Sequence, residues 1–497
     1  MPPEDRSPPE AILQFLTSLQ SPARILVAIS GGSDSTGLLL LLDEAVKAAP
    51  HLNISLCAAT VDHALRAGSA DEAREVAALC TSFGIAHTIM TWQGDKPKTG
   101  IMAAAREARY GLLAEAAEAF GADLIVTGHT FDDQRETLAM RGVRTEQVSS
   151  GIADAVLFDR RFWILRPLLF SSRADIRAFL NERGVGWIDD PSNEDVKYER
   201  VRVRRQLLAD ADAETNIRAI WEERLALAAK GAEWLDRYFK LHGGLLGQVM
   251  PDGLSQDRAV LDYALGRLTA VFGGQPFAPG RAQMERLLAF AADGELGRRT
   301  AGRVVFDLRR DGLYLTRESR GIVPLVLQPG AVGVWDGRFL VRNGSVAPIA
   351  IETAATHSPS FLSSGLTRGM SQESSAPKSL GAEDTSSLTE SITARTRGGW
   401  IPVTSLGSSP RTGMRENMRD LPKAAWKRAV ASAPTLSVEK ASLSPETAAA
   451  IDFTPYFAPF DRFLTRFDFI FANKLSAVFA TAPYARPPLR SIDGKTI

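Results

Sequence analysis

Apolar and polar residues alternate in two rhythms along the first two hundred positions. Ile12, Phe15, Leu16 and Leu19 recur at helical spacing behind a Pro-rich leader. A run of β-type residues then follows from Arg24 to Ile29 and reads as a strand. The alternation continues in order: a leucine-rich helix from Thr36 to Leu42, a strand from Ile54 to Val61, and a helix from Ser69 to Phe83 carrying Ala73, Val76, Ala77, Leu79 and Cys80, with Gly84 as its C-cap. A strand from Ala86 to Trp92, a helix from Met102 to Phe120 and a strand from Leu124 to Thr127 come next. After a polar or hairpin segment, a helix from Arg173 to Arg183 is stopped by Gly184. Strands alternating with helices predict an α/β fold with a doubly wound parallel sheet, whose ligands sit at the carboxyl ends of the strands.

The rhythm changes after residue 210. Ile217, Ile220, Trp221 and Leu225, and later Leu261, Leu265, Leu268 and Val271, are spaced for helices, and residues 215–295 read as all-helical. Arg303 to Arg317 alternates around Asp311-Gly312 like a hairpin, and a small strand-containing tail begins near Trp335. Residues 353–413 are rich in Ser, Thr, Gly and Ala, too poor in large apolar groups to offset ordering entropy, and predict a disordered insertion. Order returns with Leu421 to Arg428 and the aromatic run Phe463 to Phe479. The expected organisation is a catalytic domain at 1–210, a mainly helical accessory domain at 211–325 and a small α+β domain at 326–497.

The 497 residues exceed what one core fills, and an apolar fraction of 45% with 23% charged residues is that of an ordinary globular protein. No apolar run of about 18 residues and no leader of secretory type is present, so the chain reads as cytoplasmic with no membrane partner. Two cysteines, Cys57 and Cys80, make neither a CxxC pair nor a disulfide framework, which removes most support for thiolation or zinc chemistry. The net charge is zero, but a nucleic-acid partner needs only a local basic face. Lys197, Arg200, Arg202, Arg204 and Arg205 place five cations in nine residues beside Tyr198, suited to an RNA backbone or to a solvated face.

The chemistry starts at Ser30-Gly31-Gly32-Ser33-Asp34-Ser35, between the first strand and its helix. Two glycines let the backbone approach an anion, and serine hydroxyls and the first helical amides aim donors at it. The loop lacks the lysine of GxxxxGK[ST]; Asp34 reaches a phosphate only through a divalent cation. Asp62-His63 ends the second strand, and Gly128 to Thr137 ends the fourth, so all three stretches fall at one edge of the expected sheet. If the last stretch is helical, Asp132 and Glu136 share a face with His129 close by. Arg106 and Arg109 are placed either to meet phosphates or to pair with Glu107 or Glu115.

SGGSDS resembles the PP-loop of the N-type ATP pyrophosphatases, which cleave ATP between the α- and β-phosphates. Together with VDHALR, AAREARY, GHTFDDQRET, RPLL and WIDDPSN it occurs in the order and approximate spacing of the bacterial tRNA(Ile)-lysidine synthetases, a resemblance covering residues 22–208. Ala64 stands where that family commonly has glycine, and the 353–413 insertion departs from its pattern. The resemblance implies a two-step ligation: ATP adenylates the 2-oxygen of the wobble cytidine of tRNA(Ile) with a CAU anticodon, and free L-lysine then displaces AMP to give lysidine. It implies Ser30, Gly31, Gly32, Ser33, Asp34, Ser35, Asp62 and His63 around ATP, and Mg2+ held by Asp34 and Asp133, the latter preferred to Asp132. His129 and Glu136 would orient lysine, Lys197 to Arg205 would hold tRNA, and Trp187, Asp189, Asp190 and Asn193 would close the domain; a homodimer is left open. The competing readings are another PP-loop tRNA-modifying ligase and a non-catalytic nucleotide-binding module.

Overall fold

The computed structural model describes residues 7–66, 68–144, 150–189, 203, 217–354, 421–437, 445–492 and 495–496. The five cations from Lys197 to Arg205, the motif residues Asp190 and Asn193, the expected boundary at 210 and residues 355–413 of the insertion lie outside them. The chain forms two compact units: Met1–Ala226 with Asp461–Phe469 and Tyr484–Ile497, and Leu227–Phe460 with Ile470–Pro483. The catalytic unit therefore recruits two segments from the far end of the chain, which the expected division at 210 and 325 did not include.

The first unit runs α1 (Pro8–Ser18), β1 (Ala23–Ala28), α2 (Ser33–Ala48), β2 (Ile54–Asp62), α3 (Ser69–Ser82), β3 (Ala86–Thr91), α4 (Ile101–Phe120), β4 (Leu124–Thr127), α5 (Phe131–Arg144), β5 (Ala155–Phe158), β6 (Phe162–Leu165) and α6 (Arg173–Glu182). β6, β4, β1, β2 and β3 pair in that order as a parallel sheet. β5 folds back antiparallel on β6 through Asp159 and Arg160, both in the left-handed region at φ 51° and 56°. The strand Phe463–Thr465 pairs antiparallel with β5 and closes that edge.

Apolar burial explains the strand sequences: Leu26, Ala28, Cys57, Ala59 and Ile125 line one face of the sheet, against Tyr110, Leu113, Ala114 and Ala117 of α4. The alanines of α4 let the helix lie close to the sheet. Cys57 and Cys80 are buried, and burial pushes both thiols up to about 11, so neither is a thiolate at neutral pH. The strand order reverses at β1, which has β2 on one side and β4 on the other. The carboxyl ends of β1 and β4 thus border the crevice where such sheets bind ligands.

The second unit carries the expected helices, Arg258–Gly273 and Arg281–Ala292, and the expected hairpin, in which Val304–Arg309 pairs with Gly312–Arg317. Strands also interrupt the stretch expected to be all-helical: Phe239–His242 and Leu246–Val249 join the hairpin and Gly297–Ala301 in a five-stranded sheet. Their four-residue length leaves too little periodicity to separate them from a helix. Two three-stranded sheets surround Trp335, Phe339, Val341 and Phe453.

Ile349–Thr353 pairs with Pro434–Ser437, so the chain on either side of the insertion returns to the same sheet. Replacing residues 355–413 by a short linker is accordingly expected to be neutral or stabilising, by up to about 2 kcal/mol from the shorter loop closure. Chemical denaturation of the two proteins tests this, and a loss of stability would show that the insertion packs on the fold.

Candidate functional site

The first turn of α2 begins at Ser33, directly after the glycine pair, so its unpaired amides open into the crevice. Gly31 adopts φ +87°, and a β-carbon there would lie 2.7 Å from Ile188 Cδ1. The loop is braced from within: Thr36 Oγ1 donates to Gly31 O at 3.1 Å, Ser35 Oγ donates to Gly32 O at 3.1 Å, and Ser30 N donates to Ser35 Oγ at 3.1 Å. Ser35 is thus turned inward and shapes the loop, Ser33 is buried against Arg177, and Ser30 is exposed at the rim.

Gly128 brings the end of β4 against this loop. A β-carbon at that position would sit 2.7 Å from the Asp34 carbonyl oxygen and 2.9 Å from Ser35 N. Gly128→Ala is therefore expected to displace the loop, lowering stability by about 1–3 kcal/mol and raising the KM for ATP at least about tenfold. Thermal unfolding and ATP titration of the variant check both effects.

α5 begins beside it. Asp133 Oδ2 accepts from Thr130 N at 2.9 Å and Thr130 Oγ1 at 3.3 Å, the reach-back contact of a helix-capping carboxylate. Its other oxygen, Oδ1, faces Arg173 Nη2 at 3.5 Å. Asp132 points elsewhere: its Oδ2 accepts from Arg173 N at 2.8 Å and caps α6. Glu136 is 2% exposed, with Oε1 3.9 Å from Arg173 Nη1, and His129 Nδ1 is 2.9 Å from Thr127 Oγ1.

Arg173, at the first position of α6, is the centre of this arrangement. Its Nε donates to Asp34 Oδ2 at 2.8 Å, so one guanidinium meets Asp34, Asp133 and Glu136. Burial pushes the Asp34 carboxyl up, and Arg173 pulls it part of the way back. Burial works against the Arg173 charge, but Asp34 and Asp133 outweigh it and hold the guanidinium more firmly protonated. One turn on, Arg177 Nε donates to Ser33 Oγ at 3.2 Å, stacks over Trp187 and lies 3.4 Å from Asp189. Ile188 N donates to Gly31 O at 2.9 Å, so the Trp187 to Asp189 stretch lies over the phosphate loop.

Asp62 and His63 end β2 as expected. Asp62 Oδ1 accepts from Ala64 N at 2.8 Å, and Ala64 takes φ +50°, the left-handed geometry that glycine adopts most readily. His63 packs edge-on against Trp92, with ring centroids 6.0 Å apart. Burial, then Arg109, holds its imidazole below the usual range, which leaves it neutral at pH 7. Its buried Nδ1 has no hydrogen-bond partner among the described residues.

Arg106 lies over the Tyr110 ring and Arg166 Nη2 is 3.5 Å from the Tyr110 hydroxyl. Glu107 pairs with Arg462 instead of either helix arginine. Burial opposes ionisation of the Tyr110 phenol, but Arg166, Arg106 and Arg109 bring it down to about 8, a measure of the positive potential beneath the crevice. Sequence reasoning missed Arg166, Arg173 and Arg177. The signal available for the last two was a pair of arginines four apart at the start of a predicted helix.

Among the described residues no three His, Cys, Asp or Glu side chains gather closely enough to enclose a metal, and no helix is long and apolar enough to cross a membrane. Asp34 and Asp133 nonetheless place two carboxylates beside the phosphate loop, both facing the Arg173 guanidinium.

Residues 7–211 match the PP-loop domain family. A protein named tRNA(Ile)-lysidine synthase from Rhizobium meliloti (strain 1021) is 44% identical over 385 residues, covering 74% of this chain and 85% of its own length. Proteins of the same name from Mesorhizobium japonicum and Brucella anthropi are 43% and 37% identical, covering 63% and 64% of this chain and 71% and 74% of their own lengths.

Proposed function

The chain belongs to the tRNA(Ile)-lysidine synthase family, and from that premise we propose that it ligates free L-lysine to carbon 2 of the wobble cytidine of tRNA(Ile) with a CAU anticodon, through an adenylated cytidine. It is a PP-loop ligase that takes ATP. The observation that carries the finer reading is the meeting of Asp34, Asp133 and Glu136 over a phosphate loop at the β1/β4 crevice.

ATP enters with its phosphates against Ser30 to Ser33 and the amides that begin α2, and neutral His63 offers its unpartnered Nδ1 to the nucleoside. Asp34 and Asp133 would hold Mg2+, which supplies charge neutralisation for the triphosphate. The 2-oxygen of cytidine attacks the α-phosphorus, pyrophosphate leaves, and the ε-amine of lysine then attacks carbon 2 and expels AMP. Glu136, buried and acidic, supports a role in holding the lysine ammonium, and His129, beside Thr127, supports one in aligning it. A carboxylate takes the proton that the amine sheds.

The test uses ATP labelled at the α-phosphate, unmodified tRNA(Ile) and lysine. Labelled AMP should accumulate only when both co-substrates are present, and ADP with free phosphate would refute the assignment. The other PP-loop reading, thiolation, finds no support in Cys57 and Cys80, which are buried and protonated.

For tRNA we propose contacts from Lys197, Arg200, Arg202, Arg204 and Arg205. Replacing several by Gln should weaken tRNA binding and reduce the salt slope by about one per lost phosphate contact, with ATP binding little changed. Filter binding over a range of salt measures it, and an unchanged slope assigns the run to a solvated face.

A further inference from the structure

We propose that Arg173 and Arg177 form a clamp for the pyrophosphate leaving group, and that Arg173 reaches it by giving up the carboxylates it holds in the free enzyme. The inference rests on the adenylation reading and deepens it.

Pyrophosphate carries several negative charges, and the residues facing its expected position are mostly acidic. Asp34, Asp133 and Glu136 would repel it, and the SGGSDS loop has no lysine to offset them. Among the described residues, α6 supplies two cations that reach the loop. Arg173 and Arg177 lie one turn apart, so their side chains project from the same face. One reaches Asp34 and the other Ser33 Oγ, two adjacent residues of the phosphate loop. A planar guanidinium matches a phosphate as well as it matches a carboxylate, because both accept two parallel N–H donors. In the free enzyme Arg173 therefore stands where positive charge is needed to keep three carboxylates together.

With a divalent cation held by Asp34 and Asp133, the Arg173 fork would lose its carboxylate partners and be free to pair with phosphate oxygens. As the cytidine oxygen bonds to the α-phosphorus, the bond from that phosphorus to the α,β-bridging oxygen breaks. The electron pair stays on the bridging oxygen and adds negative charge to the departing group, where Arg173 and Arg177 stabilise it. Arg177, stacked on Trp187 and close to Asp189, couples this grip to the stretch whose Ile188 N–H covers Gly31.

The experiment measures binding of inorganic pyrophosphate with Mg2+, and separately of AMP, to full-length Arg173→Ala, Arg173→Lys and Arg177→Ala, each first checked for wild-type unfolding temperature. Arg173→Ala should weaken pyrophosphate at least about tenfold and leave AMP within about threefold; Arg177→Ala should show a smaller loss. Arg173→Lys should recover part of the affinity, since it restores charge without the fork. Unchanged pyrophosphate binding in a folded Arg173→Ala would overturn the proposal and leave Arg173 as a structural counter-ion only. Equal loss of AMP and pyrophosphate would overturn it too, as general distortion of the loop. If the wild-type protein bound neither, the adenylation reading would fail and the clamp with it, an outcome distinguishable from failure of the variants alone.

Discussion

Asp34→Ala should reduce turnover by at least about a thousandfold while the protein remains folded. Asp34 sits in the first turn of α2, at the rim of the phosphate loop, and contributes nothing to the apolar core behind it. Its carboxylate has two roles, each shared with a neighbour that stands farther from Arg173. It pairs with Arg173 at 2.8 Å, and under the proposed function it would be one of two carboxylates on the metal that neutralises the triphosphate. Losing an electrostatic contact made to developing charge costs about 10²–10³ in rate for a single donor, and losing the metal costs more. The protein is expected to remain folded because Arg173, left without Asp34, keeps Asp133 and Glu136 as counter-ions. Unfolding temperature and α-labelled AMP formation, measured together, check the expectation; normal AMP formation would remove Asp34 from the machinery.

Glu136→Gln separates the two halves of the proposed reaction. The side chain is almost completely buried, and a buried carboxylate that meets an ammonium discriminates by charge, since a neutral partner leaves it unpaired at about 1–3 kcal/mol. The amide should raise the lysine concentration needed for half-maximal rate about ten- to a hundredfold. Pyrophosphate release in a single turnover should stay within about fivefold of normal, because Glu136 lies 3.9 Å from Arg173, at the weak limit of an ion pair, whereas Asp34 grips it closely. Equal suppression of both half-reactions, with the lysine requirement unchanged, would move Glu136 from the lysine pocket to a supporting role.

The parallel half of the catalytic sheet was legible in the sequence because β1, β4 and the second half of β2 are buried on both faces and read as apolar runs, and because the polar stretches between them carry the chemistry. Ser30 to Ser35, Asp62-His63 and Gly128 to Glu136 fall at one edge of the sheet for that reason alone. The inward turn of Ser35 was not legible, since a hydroxyl that braces a loop and one that grips a phosphate occupy the same motif. Nor was the division of labour between Asp132 and Asp133. Adjacent residues on a helix point in different directions, and only the position of Arg173 N decides which carboxylate caps α6. Arg173 itself sat in a stretch read for periodicity, where a polar residue at a helix start carries no mark of its partners 139 residues away.

The strand Phe463–Thr465 makes the timing of synthesis matter. Residues up to Glu182 leave the ribosome with β5 as an open edge, its backbone donors and acceptors unpaired and Phe158 without the Phe463 ring that later packs 5.1 Å from it. Asp461 and Tyr484, which pair with Arg160 and with each other, are also still unmade. The nascent catalytic unit must wait for nearly three hundred further residues with an adhesive flank exposed. Premature termination between Leu227 and Phe460 would leave fragments that hold every residue of the candidate site and still stick to one another.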